Sequence, residues 1–353
     1  MALTTVSANN IAQQWDSDFF TNYVRANRFK RYMGTTTNSI IQLKEDLTKK
    51  AGDKIHLALI AELTGAGVTG NTLLEGSEEA LSQYEFGITV STLRNAVAVT
   101  DNEQQYTGIT LRDAAKEQLK NWAMKKLRTD VITQLGAIWT GGTGNVAYAS
   151  ATEGNKDAFL VANADRFLFG DGSVGGYTDH SADVLAVTAA MKLTRTIVSK
   201  AKARAETASP IIRPVIVGED SENYVMFVGA GAFRDLKADL ETPNKDAQNR
   251  GSSNPLFNDG DLEWDGVVIR KIQEIPTLGT VGASSARIEP YYLCGAQALG
   301  MAWAQRTKST TDTRDYGFVK GVGIHEMRGV EKIIFNGKQH GVVTGYFYAA
   351  VDG

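Results

Sequence analysis

Apolar residues recur at three- to five-residue intervals through Leu111, Ala115, Leu119, Trp122, Leu127, Val131 and Leu135. That spacing lays one apolar stripe along an α-helix. Thr110-Leu111-Arg112-Asp113 at its head fits a capping box, in which hydroxyl and carboxylate satisfy orphan amides reciprocally. Thr140-Gly141-Gly142 supplies a stop. Residues 110–138 are therefore predicted as one helix of about 28 residues, roughly 42 Å long. A second helix is predicted over about 183–207, where Val184, Val187, Met191, Thr194, Val198, Ala201 and Ala205 alternate by three and four, until Pro210 ends it. Lys200, Lys202 and Arg204 near its C-terminus match the helix dipole and read as a solvated face. A buried strand, Val215-Ile216-Val217-Gly218, leads into a third helical stretch from Ser221 towards Leu240.

The pattern is different upstream. From about 52 to 100 it turns β-like, with strands at Lys54-Ile55-His56-Leu57-Ala58-Leu59-Ile60 and Phe86-Gly87-Ile88-Thr89-Val90. The connection between them, 65–82, is longer than compact domains normally tolerate, so it needs support from outside its own domain. Its charge has one sign. No Lys or Arg stands between Lys54 and Arg94, whereas Glu62, Glu75, Glu78, Glu79 and Glu85 are acidic. A basic partner surface explains such a hairpin better than self-packing; the alternative is a tip kept acidic only for solubility.

At the N-terminus, Trp15, Phe19, Phe20 and Tyr23 suggest a short amphipathic helix, followed by Arg25, Arg28, Lys30 and Arg31 with Phe29 and Tyr32 interleaved. This segment could meet nucleic-acid phosphates; packing on a neighbouring protein surface is the preferred reading. The last third is β-rich, with turns at Asp259-Gly260, Asp265-Gly266 and Asn336-Gly337 and closing strands at 330–335 and 342–348.

Composition narrows the field. The 353 residues suggest about two domains with an adequate core. A formal net charge of −3 provides no bulk field for nucleic acid. A single cysteine, Cys294, excludes an intramolecular disulfide and any multi-cysteine zinc site, and its apolar setting reads as a buried, inert thiol. The opening residues lack the basic and apolar regions of a signal peptide, and no run approaches the roughly 18 apolar residues that span a bilayer. A cytosol-like compartment and no membrane are expected.

Catalytic motifs are weak. Gly65-Ala66-Gly67-Val68-Thr69-Gly70 and Gly170-Asp171-Gly172-Ser173-Val174-Gly175 match a dinucleotide pattern, yet neither sits in a βαβ frame. His325-Glu326-Met327-Arg328-Gly329 lacks the second histidine of a zinc motif, and His56, His180, His325 and His340 are scattered. There is no nucleophile elbow and no P-loop. No catalytic residue, cofactor or metal is expected.

The element order is an arm, a long hairpin, a very long helix, a helix–strand–helix unit and closing strands. It resembles the HK97 capsid fold of tailed bacteriophages, an α+β architecture. Trp15-Asp16-Ser17-Asp18-Phe19-Phe20, Tyr23-Val24-Arg25, the stretch Leu63-Thr64-Gly65-Ala66-Gly67-Val68-Thr69-Gly70-Asn71-Thr72-Leu73-Leu74-Glu75-Gly76, and Leu111-Arg112-Asp113-Ala114-Ala115 resemble the N4-like major capsid proteins. The resemblance implies an N-arm over 1–50, an extended E-loop over 51–106, and a peripheral domain over 107–182 and 316–353 whose spine is the long helix. An axial domain would occupy 183–315. It implies a structural subunit that self-assembles as hexamers and pentamers into an icosahedral head enclosing double-stranded DNA. Portal, scaffolding or decoration proteins would be partners, with assembly in the host cytoplasm. An N-terminal scaffolding extension is not expected, nor are the Lys–Asn crosslinks of some relatives, because no matching catalytic carboxylate is evident. The residue-level expectation is that Glu75, Glu78 and Glu79 lie on a neighbour's basic surface. That surface would be Arg25, Arg28, Lys30 and Arg31, or the long helix with Lys116, Lys120, Lys125, Lys126 and Arg128. The rival readings are an encapsulin-like shell around protein cargo and a nucleotide-dependent oxidoreductase.

Overall fold

A computed structural model describes residues 28–45, 52–60, 67–70, 73, 75, 78–80, 83–107, 110–217, 221–240 and 262–350. The expected helix around Trp15–Tyr23, Arg25, Glu62 and the turn at Asp259-Gly260 lie outside the described residues.

The chain enters through two short parallel strands, β1 (Met33–Gly34) and β2 (Ile41–Lys44). β3 (Lys54–Ile60) and β4 (Gln83–Thr89) then form the expected antiparallel hairpin, in register from Lys54↔Thr89 to Ile60↔Gln83. A ten-residue strand, β5 (Ser91–Thr100), which completes the β-like stretch expected up to about residue 100, and a short helix α1 (Asp101–Tyr106) precede the long helix α2 (Leu111–Leu135). After a small ribbon of β6 (Ile138–Trp139) and β7 (Asn145–Val146) come α3 (Glu153–Ala162), β8 (Phe167–Phe169), α4 (His180–Leu185) and α5 (Arg195–Thr207). Next are β9 (Val215–Val217), β10 (Ser221–Val228), α6 (Ala230–Asp239), β11 (Leu262–Trp264), β12 (Val267–Lys271) and β13 (Ile288–Cys294). The long strands β14 (Leu299–Arg314) and β15 (Val319–Lys332) lead to β16 (Ile334–Phe335), β17 (Lys338–Gln339) and β18 (Val342–Tyr348).

Two main sheets result. One runs β1-β2-β14-β15-β5; the other runs β11-β12-β10-β13-β18-β8, with β9 paired to β10. The second sheet is buried on both faces. Val225, Phe227, Tyr292 and Cys294 face the stripe of α2, while Tyr224, Met226, Val228 and Leu293 face α5 and α6. That alternation is the period of two of a strand. With both faces apolar, 224–228 becomes an unbroken hydrophobic run, which sequence periodicity cannot separate from a helix. The predicted helical start at Ser221 is therefore corrected: it is strand β10, and the helix begins only at Ala230.

α2 keeps most of the predicted stripe, burying Ala115, Leu119, Ala123, Leu127, Val131, Ile132 and Leu135, but Leu111 and Trp122 are only half-buried. At 25 residues it is about 37 Å long. It stops before 138 because Ile138 pairs with Val146 and the Ala137 carbonyl accepts from Lys332 Nζ at 2.8 Å. The capping box does not form. Thr110 makes no side-chain cap; Gln104 Oε1 accepts from the Leu111 amide at 3.1 Å, and the Asp113 carboxylate is drawn to Lys116 Nζ at 3.2 Å.

The helix predicted over 183–207 is two helices. Between them the backbone bonds to its surroundings: the Ala283 amide donates to the Val187 carbonyl and the Tyr348 amide to the Met191 carbonyl, both at 2.9 Å. Tertiary hydrogen bonds override a favourable periodicity here. The expected solvated basic face of α5 is also corrected. Lys202 pairs with Asp265 at 3.1 Å, and half-buried Arg204 donates to the Ala164 carbonyl at 2.9 Å and to Tyr177 Oη at 2.6 Å. The strand expected to be buried, β9, lies at an edge with Ile216 and Val217 more than half exposed. The turns at Asp265-Gly266 and Asn336-Gly337 form as predicted, all four residues at positive φ.

Candidate assembly interface

The β3–β4 hairpin is amphipathic at its root. Ile55, Leu57, Phe86 and Ile88 are buried among Phe159, Phe167 and Phe335, while His56 and Glu85 face out, 3.7 Å apart. Two glycines let the root approach the main sheet. A Cβ on Gly300 would overlap Ile88 Cδ1, and one on Gly329 would overlap the Thr89 carbonyl oxygen. Where β4 passes into β5, the Thr89 amide donates to Glu331 Oε1 at 3.0 Å and the Val90 amide to the Asp53 carbonyl at 2.9 Å. Burial raises the carboxyl pKa of Glu331.

The root is also braced electrostatically. Arg328, almost fully buried, donates Nε to Glu326 Oε1 and Nη2 to Asp130 Oδ2, each at 2.7 Å. Thr307 Oγ1 donates to Glu326 Oε2 at 2.7 Å, and Lys126 Nζ holds Asp130 at 2.8 Å. One network thus fastens α2 to β14 and β15 directly beneath the hairpin. A cleft of about 790 Å³ opens beside it, lined by His56, Glu85, Asp130, Arg328 and Glu331 among others.

The acidic residues expected at the hairpin tip, Glu75, Glu78 and Glu79, are all exposed. Of the basic residues expected to oppose such a tip, several are engaged within their own chain. Arg28 at 3.9 Å and Arg128 at 3.2 Å converge on Glu274, which ties the arm to α2, and Lys116 pairs with Asp113. Lys30, Arg31 and Lys125 are exposed and Lys120 is half-buried. Sequence reasoning missed Glu274, Glu326, Asp130 and Arg328. Their only sequence signal is the i,i+4 spacing of Lys126 and Asp130.

Both glycine motifs carry glycines at positive φ. Of the first motif, Gly67 to Gly70 are described, with both of these glycines at positive φ; Gly65 lies outside the described residues. In the second, the Asp171 carboxylate itself accepts from the Ser173 amide at 2.9 Å, occupying a donor that a phosphate would need. Its glycines serve packing: a Cβ on Gly170 would overlap Met191 Sδ. Among the described residues, Glu153, Asp157 and Asp179 bring carboxylates within 4.8 Å of one another. These are engaged locally, Glu153 by Lys156, Asp157 by the His180 amide and Asp179 by the Ala182 amide at the head of α4. Cys294 is fully buried, and burial pushes its thiol pKa up, as expected for an inert residue.

The geometry is that of a sheet-and-spine architecture with a hairpin braced at its root. Residues 3–350 match the family described as phage capsid protein, and the chain belongs to that family. It is 39% identical to the capsid protein in the cyanophage Pam1 capsid asymmetric unit, with a TM-score of 0.86 and 100% of both chains covered. The capsid of Ralstonia phage GP4 has the same fold, at 22% identity, a TM-score of 0.74 and coverage of 93% and 92%. The major capsid protein of Pseudomonas phage KPP25 is 26% identical over 95% of this chain and 94% of its own length. The fold is HK97-like and the chain is a major capsid protein of a phage virion. These relatives do not single out the N4-like group.

Proposed function

We propose that this chain assembles as hexamers and pentamers into an icosahedral head in the host cytoplasm, that the head encloses double-stranded DNA, and that the subunit carries no catalysis. A portal, and scaffolding or decoration proteins, would complete the particle. The observation that carries this reading is the hairpin: one-signed in charge, exposed at Glu75, Glu78 and Glu79, and rigidly braced at its root by Glu331 and the Arg328 network. A braced lever with an acidic tip is suited to reach a neighbouring subunit, and complementary charge then sets orientation as well as attraction. Many such contacts, each weak, close a symmetric shell.

On this reading residues 1–50 are the arm and the β3–β4 hairpin is the E-loop. The peripheral domain is α2 with the β5–β15–β14 sheet, and the axial domain is the sheet centred on β10 with α5 and α6. The axial domain would occupy 183–315, and β14 and β15 pair along most of their length across its boundary with 316–353. The test is the triple variant Glu75→Lys, Glu78→Lys, Glu79→Lys, examined by negative-stain imaging and thermal melting. Loss of shells with an unchanged melt is expected; normal shells would refute the role of the tip.

A further inference from the structure

We propose that Glu331 is a proton-operated pin at the root of the β3–β4 hairpin, clamping the root to the main sheet when it takes up a proton and loosening it when it ionises. The device is intramolecular and does not depend on what the hairpin tip meets.

The hairpin passes into the main sheet through a single residue. β4 ends at Thr89 and β5 begins at Ser91, so Val90 alone links them. The Val90 amide donates to the carbonyl of Asp53, just ahead of β3, at 2.9 Å. Beneath this junction the sheet is pared down. Strand register sets Gly300 opposite Glu331 and Ala302 opposite Gly329, and residues two apart on a strand share a face. Ile88 lies against Gly300 and the Thr89 carbonyl against Gly329, so closely that a Cβ would overlap each. Of these four residues only Glu331 has a long side chain, and its Oε1 accepts from the Thr89 amide at 3.0 Å. The last residue of the hairpin is therefore tied to the ribbon through one carboxyl group.

A glutamine would accept the same bond without burying a charge, so the titratable group is what a purely structural pin does not need. Glu331 is partly buried, and no Lys, Arg or His of the described residues forms an ion pair with it. The charged groups around it are committed elsewhere. On β3 and β4, His56 faces Glu85 at 3.7 Å; on α2, Lys126 holds Asp130 at 2.8 Å. On β15, Arg328 donates to Glu326 and Asp130, and the adjacent Lys332 turns to the opposite face to meet the Ala137 carbonyl. The Thr89 amide, Lys54 on β3 and the Asn145 side chain on β7 favour the carboxylate, but burial outweighs all three and raises the carboxyl pKa above its usual 4.5. By linkage, a group whose pKa is higher in the closed root than in the open one stabilises closure fully below 4.5, and that contribution is lost as pH rises through the raised value. Acid closes the root and ionisation loosens it.

The test is hydrogen exchange in dissociated, full-length subunits from pH 4 to pH 8, corrected for intrinsic exchange rates. Protection of the Thr89 and Val90 amides should fall together as pH rises, by at most about tenfold per pH unit for one proton, and then level off. Amides of β13, away from the root, should show no such fall. Glu331→Gln keeps the acceptor without the charge, so its protection should stay flat at the wild-type acid level. Lys54→Met removes the cation that favours the carboxylate and should extend the fall to higher pH; it decides the matter if Glu331→Gln does not fold. Three results would each overturn the pin: wild-type protection independent of pH, a glutamine variant that keeps the wild-type pH dependence, or a Lys54→Met profile identical to wild type.

Discussion

Lys332 offers a test of the packing logic that can be read from pH alone. Its side chain is 1% exposed, donates Nζ to the Ala137 carbonyl at 2.8 Å and to Gln339 Oε1 at 3.3 Å, and lies over the Phe159 ring. No carboxylate of the described residues pairs with it, and burial pushes its pKa down from 10.5 to about 7. The folded chain thus holds this proton more weakly than the unfolded chain does. Stability associated with Lys332 is full above pH 10.5 and falls as pH drops towards about 7, below which the burial penalty is complete. At about 1.36 kcal/mol per pKa unit, that penalty is roughly 5 kcal/mol. Lys332→Met fills a similar volume without the charge but leaves two buried acceptors without their donor, at about 1–2 kcal/mol each. The expected balance at pH 6 is a gain of roughly 1–3 kcal/mol. At pH 10 the penalty has shrunk to about 1 kcal/mol, and a net loss of roughly 1–3 kcal/mol remains. The sign of the stability change should therefore reverse between the two. Urea unfolding of dissociated subunits, followed by circular dichroism at pH 6 and pH 10, measures it. The same sign and size at both pH values would refute a buried, unpaired ammonium.

Other outcomes follow from the hairpin root and the spine. Arg328→Met leaves buried Glu326 with only Thr307 and Asp130 with only Lys126, and should destabilise by about 2–4 kcal/mol in the same unfolding assay. Gly329→Ala drives a methyl into the Thr89 carbonyl oxygen, which is backbone and cannot swing away. A loss of about 1–3 kcal/mol, with faster hydrogen exchange at the Thr89 and Val90 amides, is expected. Leu119→Ala on the buried face of α2 should cost about 2–5 kcal/mol in thermal or urea unfolding. Cys294 should stay silent to a thiol reagent in the native protein and react once on denaturation.

Elements whose environment is asymmetric were legible in the sequence. α2 has one buried face, so its stripe from Ala115 to Leu135 announces a helix; β3 and β4 alternate at their root, and Asp265-Gly266 and Asn336-Gly337 select their turns locally. The one-signed charge of the hairpin is likewise a property of the sequence. The errors fell where neighbours decide. β10 looked helical because both its faces are covered; the break at 186–194 exists because Val187 and Met191 bond to other segments; the head of α2 is capped by Gln104 and not by Thr110. The Arg328 network joins residues 198 positions apart, and strand register sets Arg94, His325 and Lys308 side by side. Local pattern reports a residue's own preference for helix, strand or turn. Which charges meet, and which stay unmatched on an outer face, depends on strand register and packing, and these exist only once the chain has folded.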